Sequence, residues 1–297
     1  MTRKHFMQIL EERYDINREF ERITTLFTSG LITFDVSYLS TVRTKVYTLE
    51  EMISEIFYQW KGRGTCINYK DLRKELGIDE IVNKKNRTVD EVLSCLEYYV
   101  NVEKLFMNKI AGTLYQKGYN LNIENYTILQ TNLSKLLDFF HQQVQLMEDG
   151  IFWIIPKDPA ATAVAEISSK DTAFAILKYH HASLKGQLEE KRKLLQAIAN
   201  EHEDLLKNPV DGFTEYFKTA RNAVNNLNIR HNNVKGKNQK DIVVEMKNEE
   251  LENWYDETYQ LLLFCVLIKD NKDRKDKLDE LLKNVNSKSD KKVQRKE

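Results

Sequence analysis

Proline and glycine are scarce, with three prolines and ten glycines in 297 residues. A β-rich fold with many tight turns consumes more of both, so the shortage favours long helices. Cysteine is equally sparse. Cys66, Cys95 and Cys265 are an odd, scattered set without a CxxC pair, which argues against a disulfide framework and a thiolate zinc site and points to a reducing cytoplasm. Net charge is absent, 45 basic residues balancing 45 acidic ones. No global field draws the chain onto nucleic acid or an anionic membrane, so any RNA contact must be local. Long apolar runs are missing too: Ile151 to Ile155 and Leu261 to Ile268 fall far short of the roughly 20 residues that span a bilayer. Charges interrupt the first thirteen residues before a signal peptide can develop. No Gly-x-Ser-x-Gly turn exists, and Gly62-Arg-Gly64 lacks the lysine and helix start of a phosphate loop.

A 41% hydrophobic content is enough for a real core. The apolar spacing of three and four predicts an all-α fold, a bundle of long antiparallel helices. A first helix covers 3–28, perturbed near Asp15, and a second runs from Thr33 to Trp60. A short helix spans Asn68 to Glu80. Thr88-Val-Asp-Glu91 reads as a capping box opening a helix over 89–116. Another helix starts at Asn125 or Thr127 and continues to Met147. Residues 151–159, with two prolines, are extended, and the boundary between the halves lies there: 1–150 is a helical region of unknown role, 151–270 a second helical domain, and 271–297 a helix end with a charged tail. Within the second domain, helices are expected from Asp171 to Lys185, Leu188 to Leu206, Phe213 to Asn232 and Glu249 to Asn284, with an exposed loop over 233–248. Trp60, Trp153 and Trp254 sit in apolar patterns and read as core. The stretch Lys269 to Glu297 holds eleven basic and seven acidic residues. It reads first as a solvated tail and second as an aid to RNA binding.

The chemistry concentrates in residues 220–233, Ala-Arg-Asn-Ala-Val-Asn-Asn-Leu-Asn-Ile-Arg-His-Asn-Asn. Arg221 and Arg230 supply permanent cations, His231 a group that titrates near neutrality, and Asn225, Asn228 and Asn232 neutral donors and acceptors. On a helix, Arg221, Asn225, Asn228 and Asn232 lie at i, i+4, i+7 and i+11, a polar stripe opposite Phe213, Tyr216, Phe217, Ala220, Val224 and Leu227. Such a stripe suits a phosphate ester: arginine holds the phosphate and histidine shuttles a proton from the ribose 2′-hydroxyl, with no metal or other cofactor. An equally economical account has the asparagines capping and solvating a fraying helix end. His180 and His181 point about 100° apart on a helix and share no ligand face, so the pair reads as surface packing.

The run Asn226-Leu-Asn-Ile-Arg-His-Asn-Asn233, after Lys185-Gly-x-Leu-x-x-Lys-Arg-x-Leu-Leu195, resembles all-α bacterial proteins of the HEPN superfamily, especially abortive-infection proteins of phage defence. The resemblance covers about residues 155–270. It implies a HEPN-like C-terminal half, a metal-independent endoribonuclease or RNA-binding effector, and a site completed across a homodimer. His231 matches the family's histidine. The family's arginine stands four to six residues from it, and Val224 to Asn226 hold none. Either Arg230 or Arg221 then serves through a variant geometry, or the site binds without cutting. A non-catalytic interaction or sensor module, paired with a protein partner or antitoxin, is the competing expectation.

Overall fold

A computed structural model describes residues 15–37, 44–117, 119–121, 123–147, 150–230, 243 and 245–293. It is mostly helical, with twelve α-helices among the described residues and little strand. The chain divides into two compact units, 1–157 and 158–297.

In the N-terminal unit, α1 (Ile16–Thr28) begins where the Asp15 carboxylate accepts the Arg18 N–H at 3.0 Å and buries Phe20, Ile23 and Phe27. The single helix expected from Thr33 to Trp60 is not there. Instead β1 (Thr33–Ser37) pairs antiparallel with β2 (Thr44–Thr48) and with β3 (Tyr119–Leu121), in the order β2-β1-β3. Threonine, valine and tyrosine dominate these segments, and their χ1 stiffness suits a pleated surface better than a helix. Helix α2 (Leu49–Ile56) starts only at the Thr48/Glu51 capping box. Short helices α3 (Tyr69–Glu75) and α4 (Ile78–Val82) follow.

Helix α5 (Val89–Lys117) opens at the predicted Thr88/Glu91 box. Helix α6 (Ile123–Phe139) stops eight residues before Met147, because His141 takes a left-handed φ of 53°. The next residues form β4 (Gln142–Leu146), which pairs with β5 (Phe152–Pro156) as an antiparallel hairpin. On α5, Asn101 donates to the Phe152 carbonyl at 2.6 Å and accepts its N–H at 2.8 Å, while Glu97 accepts the Ile154 N–H at 2.7 Å. These side chains satisfy the strand edge that β4 leaves open. The core gathers Phe20, Ile53, Phe57, Leu96, Tyr99, Phe106 and Leu136.

The C-terminal unit starts with Asp158 capping α7 (Pro159–Ile167), proline occupying the first turn where its missing N–H costs nothing. Helix α8 (Lys170–Lys178) ends seven residues before Lys185. The expected 188–206 helix is interrupted at His202 into α9 (Leu188–Glu201) and α10 (Glu203–Lys207). Helices α11 (Thr214–Asn226) and α12 (Asn248–Val293) complete the unit. The loop expected over 233–248 lies largely outside the described residues, and α12 continues nine residues past Asn284. Leu195, Ile198, Phe217, Val224, Tyr259 and Leu262 centre the core. Among the described residues, no helix is long and apolar enough to cross a membrane.

Candidate functional site

Helix α11 buries Phe217, Ala220 and Val224 and leaves Lys218, Arg221, Asn222, Asn225 and Asn226 exposed. Lys218, Arg221 and Asn225 share one face at i, i+3 and i+7. The first two turns of the anticipated polar stripe are therefore solvent-facing, and they carry an additional cation, Lys218. Phe213 and Tyr216, expected to be buried, are 40% and 50% exposed.

The helix that would carry the stripe stops short of Asn228. Helix α11 ends at Asn226, and Asn228 adopts a left-handed φ of 57°. Asparagine tolerates this conformation better than most side chains. The turn carries Asn228 inward: the residue is 6% exposed, and its carboxamide has no hydrogen-bond partner among the described residues. Asn228 is thus a helix terminator rather than a surface contact. His231 and Asn232 lie outside the described residues.

The chain leading to His231 is tied down at successive carbonyls. Tyr255 donates to Leu227 at 3.4 Å, Arg192 Nη1 to Ile229 at 3.2 Å, and Gln196 Nε2 to Arg230 at 2.8 Å. The Arg230 N–H returns to the Val224 carbonyl at 3.2 Å. Helices α9 and α12 thereby hold the backbone at Leu227, Ile229 and Arg230. The Arg230 guanidinium is turned to Glu203 on α10, with Nη1 3.3 Å from the carboxylate. Lys207, hydrogen-bonded to the same carboxylate, holds Glu203 below the ordinary glutamate range, and Arg230 and then Arg221 add to the effect. Both candidate phosphate clamps therefore act on one carboxylate, which the sequence reading did not single out.

Two bases of the Lys185–Leu195 motif are buried. Lys191 Nζ lies 2.8 Å from both Glu252 and Asp256 and 5.2 Å from the centre of the Tyr179 ring. Arg192 forks onto Glu189 at 2.8 and 3.0 Å. His180 packs edge-on against Tyr179 and Tyr259 at 5.0 and 4.8 Å, a half-buried position rather than surface packing, and burial lowers its pKa. His181 instead caps the turn through Ser183. Among the described residues no group of three His, Cys, Asp or Glu side chains is placed to hold a metal ion. Cys95 and Cys265 are buried, their thiols pushed up to about 12, far from nucleophilic at neutral pH.

The N-terminal unit holds a cavity of about 320 Å³ lined by Glu103, Lys104, Gln130, Ser134, Asp138 and Lys157 among others. Glu103 is 3% exposed and accepts hydrogen bonds from the Tyr126 hydroxyl and the Gln130 amide.

No protein-family model, curated protein or solved structure matches the chain.

Proposed function

We propose that the C-terminal unit is a HEPN-like RNA-binding effector of phage defence, acting as a homodimer, in which the exposed face of α11 holds the sugar-phosphate backbone. The observation that supports this most is Arg230, 3.3 Å from Glu203, with Arg221 exposed on α11. Arg221 is exposed to solvent, while the Arg230 guanidinium faces Glu203 one residue before His231 in the chain. A phosphate arriving there competes with Glu203 for the guanidinium of Arg230. His231 is the acid–base group of a metal-independent cleavage. It takes the proton of the ribose 2′-hydroxyl, whose oxygen attacks the adjacent phosphorus and expels the 5′-oxygen, which leaves as a hydroxyl with a proton from water, giving a 2′,3′-cyclic phosphate. Asn225 orients the backbone from the exposed helix face, and Asn232 belongs to the same proposed set. Asn228 is withdrawn from it by its burial.

Incubation of the full chain with total RNA in EDTA tests the reading. Cleavage to 2′,3′-cyclic phosphate ends, lost in His231→Ala and reduced in Arg221→Ala, supports an enzyme. Retention of RNA without cleavage, weakened by Arg221→Ala, supports a binding effector. Neither cleavage nor retention refutes both. A second reading, a non-catalytic interaction module, draws on the exposed aromatic cluster of Phe213, Tyr216 and Phe264, with ring centres 6.3 Å apart for Phe213–Tyr216 and 5.2 Å for Tyr216–Phe264. Exposed apolar patches mark protein–protein interaction sites among their principal uses.

A further inference from the structure

Beyond Ile268, α12 packs on little: Leu278, Leu281, Leu282 and Val285 are 50–57% exposed. The helix is sustained there by a ladder of i,i+4 ion pairs, Lys269–Asp273, Arg274–Asp270, Lys272–Asp276 and Lys275–Asp279. Those pairs explain why the segment is helical. They do not explain its leucines.

The apolar residues belong to a longer stripe. Leu261, Phe264, Ile268, Asn271, Lys275, Leu278, Leu282 and Val285 are spaced alternately by three and four, the seam of a two-stranded coiled coil. Phe264 is 41% exposed, and Leu261 and Ile268 are half-buried. The order along the seam is three apolar residues, two polar ones, then three apolar ones, a pattern that reads alike from either end and centres beside Asp273. We infer that this stripe is a self-recognition surface, on which α12 of one copy pairs antiparallel with α12 of a second copy over about 36 Å.

A closed two-fold interface must be self-complementary, and the mirror order provides that. Antiparallel pairing sets Leu261 against Val285, Phe264 against Leu282 and Ile268 against Leu278 of the second copy. It also sets Asn271 against Lys275, so the amide oxygen meets the ammonium. Parallel pairing would place Lys275 against its own copy in the seam, a like-charge contact. Charge also permits close approach: residues 269–280 hold five basic and five acidic side chains. A foreign helix would have no need of the mirror order. The inference names the interface of the proposed homodimer. It rests on the dimeric part of that reading and not on the RNA part.

Light scattering of the full chain at micromolar concentration should give twice the mass of a single chain. The double variant Leu278→Glu/Leu282→Glu should halve that mass and leave helical circular dichroism at the wild-type level, since both side chains are already half exposed. Mixing Ile268→Cys with Leu278→Cys protein under mild oxidation should yield a mixed disulfide-linked dimer, and neither variant should cross-link efficiently alone. A monomeric wild-type chain overturns the inference, as does a dimer that survives the double variant or links each cysteine to its own counterpart. RNA cleavage or retention by a monomer would leave the RNA reading standing and sink this one alone.

Discussion

Replacing Arg192 by methionine isolates the strap that holds the backbone at Ile229. Methionine keeps most of the aliphatic stem and removes the guanidinium. Three groups lose a partner: the Ile229 carbonyl, Glu189, and the Gln196 amide, whose oxygen lies 3.4 Å from Nη1 and whose nitrogen keeps its own donor bond to Arg230. The Ile229 carbonyl belongs to a residue with no exposed surface and loses its donor at 3.2 Å. Leaving such an acceptor without a donor costs about 1–3 kcal/mol. Glu189, 55% exposed, returns to water, and its pair with Arg192 adds little because solvent screens it. Burial on the apolar stem is nearly conserved. The expected loss is about 2 kcal/mol in the C-terminal unit. At a few degrees per kcal/mol for a domain of this size, its transition should fall by roughly 5–8 °C. Thermal circular dichroism reads that shift, and hydrogen exchange reads its place: the Arg230 amide, bonded to Val224, should lose protection before the core amides of α9. Glu189→Gln is the control and should move the transition by less than a third as much. If Arg192→Met and Glu189→Gln destabilise equally, the guanidinium acts through the surface pair and the strap is refuted. An unchanged Arg230 amide refutes it as well.

Asn101→Leu in the N-terminal unit strips both bonds from Phe152 and should cost about 2–4 kcal/mol. A denaturation midpoint within error of wild type would contradict the edge-closing role. Lys191→Met leaves Glu252 and Asp256 facing each other without their shared cation. Partial exposure of Asp256 moderates the loss to about 2–3 kcal/mol, and adding Asp256→Asn should recover part of it; no recovery would mean that packing, not charge, is lost. Acid should weaken the C-terminal unit in a defined window. Burial lowers the pKa values of His180 and His202 below the usual 6.5, so the unfolded chain takes up protons first. Stability is then complete above pH 6.5 and declines as pH falls through the lower folded-state values. His180→Gln/His202→Gln should flatten the melting profile between pH 7 and 5, leaving the carboxylate-driven decline below pH 4.5. An equally steep profile in the double variant would contradict the assignment.

The helical character was legible because apolar residues recur at three and four along most of the chain. The strands were not, for a reason visible in the residues. From 33 to 48, β-branched side chains occur at spacings compatible with either period, and only the Thr48/Glu51 box marks where a helix begins. In Gln142-Gln-Val-Gln-Leu146 the alternation is clear, yet it is inverted: Val144 and Leu146 are 38% and 55% exposed. Their apolar side chains therefore looked like the continuation of the α6 stripe. The turn was signalled by Gly150, whose φ of 82° few other residues adopt. Lys191 and Arg192 offered a subtler clue. With Leu188, Leu195, Ile198 and Ala199 they fall on the buried face of α9, and two bases on a core face require partners elsewhere in the fold.

The candidate site was half legible for a related reason. Arg221 and Asn225 could be placed because Phe217, Ala220 and Val224 orient the helix beneath them. Extending that helix to Asn232 overlooked a conflict. Continued helix would turn Ile229 about 140° from Val224, yet both are fully buried. A reversal of the backbone between them lets both reach the core, and of the three asparagines there, Asn225, Asn226 and Asn228, it is Asn228 that takes the left-handed φ. The same reversal explains Arg230. Once the chain folds back, its guanidinium meets Glu203, nearly thirty residues away in sequence and on a different helix. No local spacing rule between arginine and histidine anticipates that pairing, because the place of Arg230 is set by its contacts with α9 and α10 rather than by the turn of α11.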